Sequence, residues 1–335
     1  MNREPDEYIR VQSEALKSYV ATAAQEVGLP RGKAELLADL LARNDRQGVF
    51  SHGTELIATY SEKGYARMMR DGDLNPDPTV EVIRESPVSV LMDGDGGLGY
   101  FPAYEGTQRA IEKANEQGIA AIATRNHGHF GAAGIYAQEA VEEDLLAFAT
   151  SGHQLNLSPG DSVFRAGGRS PMAFCAPSAE EDPVILDFGT MHDLYPRSPH
   201  QEDIAELAPG LVLRHLGLGS ICQSWGGLLT GLGLEDPRDY QEYAGANQGT
   251  LVVLFRIDLF SDPDRFKREV DTYVRRVSEL EPLEGFDEAM LPGGPEAARE
   301  REFRDAGIPV GPEHQTALED LASDLGLTVP WETTE

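Results

Sequence analysis

The chain has 335 residues and a formal charge of −29, because 57 acidic side chains outnumber 28 basic ones. A chain this negative repels phosphate backbones and anionic lipid, which argues against nucleic-acid and membrane partners. Hydrophobic residues make up 40% of it, so it is not a disordered protein, and its length suits two domains or one elaborate one.

The predicted elements begin with helices. Apolar residues recur at helical spacing over residues 8–45, where Gly28 and Pro30 separate two helices, and a third helix is predicted from Thr54 to Asp71. After residue 78 the period changes and predicts strands alternating with helices. This region contains strands at 79–84 and 88–93, a helix at 102–117, a strand at 119–124, a helix ending near 142, and strands at 145–150 and 184–187.

The remaining third of the chain is less regular. Residues 189–210 are polar and turn-rich, whereas residues 211–233 are apolar and glycine-rich, which predicts a tightly packed helix or helix pair. Further predictions are a strand at 250–258, a charged helix at 262–280, and surface helices at 295–306 and 312–326. Alternating strands and helices in the middle of the chain favour an α/β core, and the helical ends are expected to form one lobe.

The basic residues and cysteines bear on the compartment. Only five residues are lysine, and acid excess with few lysines is typical of proteins in molar salt, where the Debye length is about 3 Å; an ordinary acidic enzyme is the alternative. Cys175 and Cys222 are too few for a disulfide framework, and the N-terminus lacks the pattern of a signal peptide. We therefore predict a cytoplasmic, salt-adapted protein without membrane spans.

A glycine turn between a predicted strand and helix fits the dinucleotide pattern G-x-G-x-x-G. It runs from Gly94 to Gly99, and a Rossmann interpretation requires its amides to meet a pyrophosphate. Asp93 and Asp95 place carboxylates where that dianion would bind. A structural turn is therefore favoured over a phosphate site.

Four histidines lie in Gly- or Ser-flanked loops: His52, His127, His129 and His153. One interpretation is an acid/base group for alcohol–carbonyl interconversion, with hydride leaving to a nicotinamide. A second is a metal site in which His127 and His129 are joined by His52 or His153. A third is that these histidines cap helices or satisfy loop hydrogen bonds. The spacing leaves all three open.

Seven stretches at and beyond these loops form an ordered pattern: Ser51–Gly53, Asp93–Gly99, His129–Ala137, Pro171–Pro177, Val184–Asp187, Gly285–Pro292 and Gly307–Pro309. In these stretches the sequence resembles the malate/L-lactate dehydrogenase-like family of NAD(P)-dependent 2-hydroxyacid oxidoreductases, which lack a Rossmann fold and include L-sulfolactate and ureidoglycolate dehydrogenases. The resemblance runs from about residue 8 to residue 330.

The resemblance implies an α/β fold with a mixed-sheet cofactor-binding core, a helical lobe from both termini, and a homodimer acting on a small molecule. It implies a helical lobe at 1–78 and 285–335 and a core at 79–284, with a divergent, shortened segment at 189–233. It also implies NAD or NADP as cofactor, with His52 as acid/base and His129 as the second catalytic histidine. It places Ser51 and Asp187 near the cofactor or active site, and the predicted cofactor-binding residues are these two together with Arg125, His127, Arg169 and Ser170.

The chain departs from the family pattern at several positions. Leu56 and Gln47 stand where the family usually carries arginines, and Ser170 lies in an altered Gly-Thr-Asn-Pro turn. A lysine motif is replaced by residues 214–219. A non-catalytic or repurposed family member is therefore the rival hypothesis. The arginines near the histidine loops that remain as candidate cations are Arg46, Arg125, Arg165, Arg169 and Arg214.

Overall fold

The computed structural model describes residues 4–192, 194, 198–234 and 241–331. Its helices are α1 Ser13–Glu26, α2 Arg31–Arg46, α3 Leu56–Thr59, α4 Gly64–Arg70, α5 Tyr100–Gln117, α6 Gly134–Glu142, α7 Gln201–Leu207, α8 Pro209–Gly226, α9 Pro263–Ser278, α10 Gly294–Ala306 and α11 Pro312–Leu325. Its strands are β1 Ile9–Val11, β2 Glu81–Ser86, β3 Ser89–Asp93, β4 Ile119–His127, β5 Leu145–His153, β6 Pro171–Ala176, β7 Val184–Gly189, β8 Gln248–Arg256 and β9 Ile308–Val310.

The chain divides into two compact units. The helical unit comprises Met1–Pro78 and Gly293–Glu335, and the sheet unit comprises Thr79–Pro292. Residues 285–292, which the sequence assigned to the helical lobe, belong to the sheet unit. None of the described helices has the length and apolar character needed to cross a membrane.

The helical unit joins the two ends of the chain through a short antiparallel pair, in which Val11 of β1 lies opposite Ile308 of β9. The single helix predicted from Thr54 to Asp71 is wrong, because the backbone breaks between α3 and α4. Ser61 and Gly64 have φ values of 51° and 77°. Only glycine suits position 64, since a Cβ there would come within 2.2 Å of the Ala58 carbonyl carbon.

The sheet unit contains one seven-stranded sheet with the strand order β2-β3-β4-β8-β5-β6-β7. Only β3 and β4 run parallel, and every other neighbouring pair is antiparallel. A doubly wound dinucleotide fold has a mostly parallel sheet. The predicted mixed-sheet, non-Rossmann fold class is therefore confirmed.

Several strand ends meet along one edge of this sheet. β4 and β5 are both antiparallel to β8, so they point the same way, and their last residues, His127 and His153, both lie opposite Gln248. β3 ends at Asp93 on the same edge, and β6 begins there at Pro171. We call this the histidine edge. β4 and β5 run past their predicted ends, and β6 was not predicted as a strand.

The glycine-rich segment after residue 208 forms α8, which ends against β5. At this crossing a Cβ on Gly226 would lie 2.4 Å from the Ser151 carbonyl carbon, and one on Gly152 would lie 2.4 Å from the Gly227 nitrogen. The glycines therefore allow the helix end and the strand to pack backbone against backbone. The prediction of a tightly packed helix in this region agrees with this contact.

Candidate functional site

His52 lies at a corner of the helical unit, in a single 3-10 turn, Phe50–His52. The Ser51 hydroxyl is 2.9 Å from His52 Nδ1, and Asn44 Nδ2 donates to the His52 carbonyl oxygen at 2.8 Å. Burial lowers the pKa of His52 to about 4. The imidazole is therefore neutral near pH 7, which is the form that accepts a proton.

Behind this corner lies a fully buried carboxyl group, that of Asp45 at the end of α2. Its Oδ2 accepts from the Thr54 backbone nitrogen at 2.9 Å and from Thr54 Oγ1 at 2.6 Å. Because Thr54 donates its hydroxyl hydrogen to Asp45, it accepts one from His314 Nε2, 3.2 Å away. Two polar side chains of α2, Asn44 and Asp45, thus hold the segment that carries His52.

Sequence reasoning missed both Asp45 and His314. A signal for Asp45 was present, since it continues the buried stripe of Leu37 and Leu41 at four-residue spacing. A charged residue on the apolar face of a helix indicates a specific partner. His314 gave no comparable signal, because its partner Thr54 lies 260 positions away.

Neither of the two positions in the helical unit that depart from the family pattern carries a cation. Leu56 is buried, and Gln47 donates from Nε2 to Glu300 at 3.0 Å. The neighbouring Arg46 contacts Glu300 at 3.5 Å and donates to the Ser13 hydroxyl at 3.0 Å. Arg46 is thus committed to structural contacts.

The glycine turn at the histidine edge uses its amides internally. Gly94 and Gly96 donate to the carbonyls of Arg125 and Asn126, both at 2.9 Å, and Gly99 donates to the carbonyl of His129, also at 2.9 Å. These amides face the loop after β4 and are not available to a pyrophosphate. The interpretation of this motif as a structural turn is the one that the geometry supports.

Arg125, predicted to bind cofactor, lies at this turn. Its Nε is 3.0 Å from Asp93 Oδ2, and Asn126 Nδ2 donates to the other Asp93 oxygen at 2.7 Å. The pair is largely buried, with side-chain exposures of 24% and 13%. Arg125 therefore ties the glycine turn to the end of β4.

His127, also predicted to bind cofactor, is completely buried, and both of its ring nitrogens are occupied. Nδ1 lies 2.7 Å from the Gly128 carbonyl oxygen, to which it donates, and Nε2 lies 2.7 Å from Thr124 Oγ1, from which it accepts. Burial lowers its pKa to about 4. This arrangement leaves no nitrogen for a ligand, and within the described ranges no three His, Cys, Asp or Glu side chains are arranged to hold a metal.

His129, the second predicted catalytic histidine, lies two residues beyond β4 and is half-buried. Its ring meets that of Tyr100 edge to face, with 6.3 Å between the centroids. Gly131 has a φ of 87°, and a Cβ there would come within 2.4 Å of the Tyr100 ring. The glycine thus brings the loop that carries His129 onto the start of α5.

Asp187 and Ser170, two further predicted cofactor residues, have local partners. Asp187 Oδ2 accepts from the Gly134 backbone nitrogen at 2.7 Å, which places a carboxylate at the N-terminus of α6. Ser170 is buried; its hydroxyl donates to Gln223 Oε1 at 3.4 Å, and its carbonyl accepts from Thr190 Oγ1 at 2.7 Å. Both side chains stabilise the sheet unit near the histidine edge.

A cavity of about 540 Å³ opens beside β5. Its polar lining includes His153, Gln154, Arg165 and Arg169. The side-chain amide of Gln223 holds the His153 backbone, accepting from its nitrogen at 3.1 Å and donating to its oxygen at 2.6 Å. Burial and the charge of Arg169 lower the pKa of His153, so this imidazole is neutral beside a cation.

The predicted site residues divide between the two units. Ser51 and His52 belong to the helical unit, and the predicted residues near the histidine edge of the sheet unit are Arg125, His127, His129, Arg169, Ser170 and Asp187. Arg169 is the only one of the eight that lines the described cavity.

These features define a mixed α/β protein with histidines at loop corners and, over the described ranges, no Rossmann phosphate loop. The chain belongs to the malate/L-lactate dehydrogenase family, whose model matches residues 11–192 and 212–319. This confirms the resemblance seen in the sequence.

The chain is similar to several named dehydrogenases. It is 35% identical over 185 residues to malate dehydrogenase from Pyrococcus horikoshii, an alignment that covers 55% of this chain and 50% of that protein. It is 25% identical to L-sulfolactate dehydrogenase from Methanocaldococcus jannaschii, over 93% of this chain and 96% of that one. The chain thus spans about half the length of the Pyrococcus relative in sequence, whereas its match to the Methanocaldococcus protein is nearly complete.

A solved structure of malate dehydrogenase from Pyrococcus horikoshii shares the fold. The TM-score is 0.83 at 25% identity, and the superposition covers 98% of this chain and 99% of that one. The helical and sheet units therefore both have counterparts in a known family structure.

Proposed function

We propose that the protein is an NAD(P)-dependent oxidoreductase that interconverts a small hydroxy compound and its oxo form by hydride transfer. The observation that carries this proposal is the family match over most of the chain. Within the matched residues, His52 at the Ser51–Gly53 corner has a neutral, half-buried imidazole. Loss of hydride from an alcohol carbon requires removal of the hydroxyl proton, and a neutral histidine suits that step.

His52 is the proposed acid/base. Its Nδ1 lies 2.9 Å from the Ser51 hydroxyl, and its imidazole is the group assigned to exchange the substrate proton. Replacing His52 with alanine should lower nucleotide-dependent turnover by about two to four orders of magnitude while the protein stays folded. His200→Ala, an exposed histidine before α7, is the matched control. Unchanged turnover in His52→Ala would overturn this assignment.

A nicotinamide dinucleotide is the cofactor that the family implies, and the cavity beside β5 fits such a group. Leu155, Phe164 and Met191 offer apolar contacts to a planar ring, and the Asn156 amide and the buried Gln154 Oε1, which has no hydrogen-bond partner among the described residues, offer polar contacts. The volume lies within the range of small-molecule sites, about 300–1,000 Å³. When bound, the nicotinamide accepts or releases hydride.

The second candidate function is a family member that has lost dehydrogenase chemistry. It is favoured by Leu56 and Gln47, which leave two family arginine positions without charge. Thermal unfolding with NAD+, NADH, NADP+ or NADPH separates the two. A ligand present at 100 times its dissociation constant stabilises by about 2.7 kcal/mol, so no shift with any nucleotide would favour the second candidate.

We also propose a homodimer, formed through the outer face of α8. Leu211, Leu218, Ile221 and Trp225 share one helix face and are 39–52% exposed. Residues 207–234 contain no Asp or Glu, although the chain carries 57 acidic residues. An apolar face that carries no carboxylate and includes the exposed Arg214 is where two strongly negative copies meet with least repulsion.

The proposed setting is a cytoplasm rich in salt, with a small-molecule substrate and neither nucleic acid nor membrane as partner. The acidic, lysine-poor composition supports it, since screening removes the self-repulsion of 29 excess negative charges. Thermal unfolding across a potassium chloride series tests this. The unfolding temperature should rise steeply with salt, whereas an ordinary acidic enzyme would show a shallow dependence.

A further inference from the structure

We propose that Asp45 and His314 are positioning residues for His52, and that they act through the hydroxyl group of Thr54, which both of them contact. We call Asp45, Thr54 and His314 the buried triad. Because His52 is the proposed acid/base, this role rests on the proposed function. It concerns two buried ionisable side chains that the proposed reaction does not otherwise use.

The buried triad joins three separate segments of the helical unit. Asp45 lies at the end of α2, Thr54 follows the 3-10 turn, and His314 lies in the first turn of α11. Their exposures are 0%, 0% and 7%. Thr54 Oγ1 is 2.6 Å from Asp45 Oδ2 and 3.2 Å from His314 Nε2. His314 lies 260 positions after Thr54, so one hydroxyl group ties together the two chain segments that form this unit.

The buried triad reaches His52 through the backbone that follows it. Asn44 Nδ2 donates to the His52 carbonyl oxygen at 2.8 Å, and the Thr54 nitrogen donates to Asp45 Oδ2 at 2.9 Å. Between these two contacts, Gly53 lies so close to the carboxyl group that a Cβ there would be 1.6 Å from Asp45 Oδ1. The direction of the imidazole therefore depends on the contact between Asp45 and Thr54.

Burying two ionisable side chains is unfavourable compared with burying apolar residues of the same size. Burial raises the pKa of Asp45 to about 7 and lowers that of His314 to about 4, so the charged form of each is disfavoured. These side chains supply direction, because a hydrogen bond to Thr54 constrains an angle as well as a distance. Direction matters for a group that exchanges a proton, since a displacement of about 1 Å can lower a rate about 100-fold.

The charged side chains around the buried triad lie on α2, next to α3, on α10 and on α11. They are Arg46, Glu55, Arg299, Glu300 and Glu313. Besides burial and the Thr54 hydrogen bonds, Glu55 raises and Arg46 lowers the pKa of Asp45. For His52, burial is the cause of the lowered pKa of about 4. If the corner loosens and water reaches the imidazole, the pKa of His52 should therefore rise towards its usual value of about 6.5.

The pKa of His52 in solution tests the positioning role without turnover. With 13C at the Cε1 atoms of the eight histidines, NMR follows every imidazole across a pH series, and the His52 signal is the one missing from His52→Ala. Thr54→Val removes the hydroxyl group but keeps the backbone nitrogen. In this variant the His52 midpoint should rise by about one pH unit or more, and His314→Leu should show the same rise.

Matched variants separate the hydrogen bonds from general packing. Thr22→Val makes the same change on an exposed threonine of α1 and should leave the His52 midpoint at its wild-type value. His314→Gln keeps a nitrogen donor in place of Nε2 and should also keep the midpoint low.

Three results would overturn the positioning role. One is a midpoint that stays below pH 5 in both Thr54→Val and His314→Leu while both proteins are folded by near-ultraviolet circular dichroism. Another is an equal rise of the midpoint in His314→Gln and His314→Leu. The third is loss of the folded state in both Thr54→Val and His314→Leu, which would make the buried triad a requirement for folding.

Turnover gives a second readout and separates this role from the proposed function. Thr54→Val should lower kcat about 10- to 100-fold, while its affinities for NADH and NADPH stay those of the wild type. A raised His52 midpoint in a protein with no dehydrogenase activity would leave the positioning role standing and remove the proposed function. His52-dependent turnover with an unchanged midpoint and kcat in Thr54→Val would remove the positioning role alone.

Discussion

The carboxylate of Asp45 accepts two hydrogen bonds from one residue, Thr54, through a single oxygen. The Oδ2 distances are 2.9 Å to the backbone nitrogen and 2.6 Å to Oγ1, whereas the buried Oδ1 has no hydrogen-bond partner in the described structure. Oδ1 instead faces Gly53, where a Cβ would lie only 1.6 Å away. The proposed acid/base His52 directly precedes that glycine, so the carboxylate and the histidine corner are packed as one unit.

The raised pKa of Asp45 should make the free energy of unfolding fall as the pH rises. Burial raises its pKa from 3.8 to about 7, so between these values the folded state binds more protons than the unfolded state. By linkage, ionisation of Asp45 removes about 4 kcal/mol of stability as the pH rises from about 4 to about 7. Chemical unfolding of wild type and Asp45→Asn at pH 5 and pH 8 measures this. The free energy of unfolding should change less between these two pH values in Asp45→Asn than in the wild type. Equal changes in the two proteins would contradict the raised pKa of Asp45.

Gly53→Ala should be severely destabilising, because the added methyl group overlaps Asp45 Oδ1. The expected cost is about 3 kcal/mol or more, since neither the helix end nor the buried carboxylate can move freely. Gly32→Ala in α2 is the control, as a Cβ there meets nothing within 4 Å. Urea denaturation compares the two variants, and a Gly53→Ala protein as stable as Gly32→Ala would refute the packing argument.

The pH dependence of turnover should report the neutral imidazole of His52. Burial lowers its pKa to about 4, so the base form persists well below the usual histidine value of 6.5. The acid limb of kcat/KM for alcohol oxidation should therefore have its midpoint below pH 5. A pH profile of the wild type in constant salt measures this, provided that unfolding is monitored in parallel. A midpoint near 6.5 would mean that another histidine limits the reaction.

Ile221→Glu should dissociate the proposed dimer. The side chain is 52% exposed on the apolar face of α8, so the substitution places a charge in the interface without disturbing the core. Leu283→Glu is the control, because that leucine is 78% exposed and lies outside α8. Sedimentation velocity should show a monomer for Ile221→Glu and a dimer for the control and the wild type. A monomeric wild type would remove the proposal.

Much of the fold was predictable because local signals agreed with one another. Helical spacing over Leu37, Leu40 and Leu41 predicted α2, and β-branched runs predicted β2 and β3. The carboxylates flanking Gly94 argued for a structural turn, and the amides of Gly94, Gly96 and Gly99 donate to internal carbonyls. The break between α3 and α4 was not predictable, since three residues near Ser61 adopt positive φ and only one of them is glycine.

The sequence by itself determined the chemical inventory: an acidic chain, four loop histidines and few cations near them. Only the tertiary structure decided how that inventory is used. It assigned both nitrogens of His127 and the charge of Arg125 to internal partners, and it placed His153 beside Arg169 at a cavity. The reason is physical, because hydrogen bonds and burial join residues far apart in the chain, and no local period encodes which polar groups are already satisfied. The charge of −29 describes the protein surface, whereas these long-range contacts determine which histidine and arginine side chains can bind a ligand.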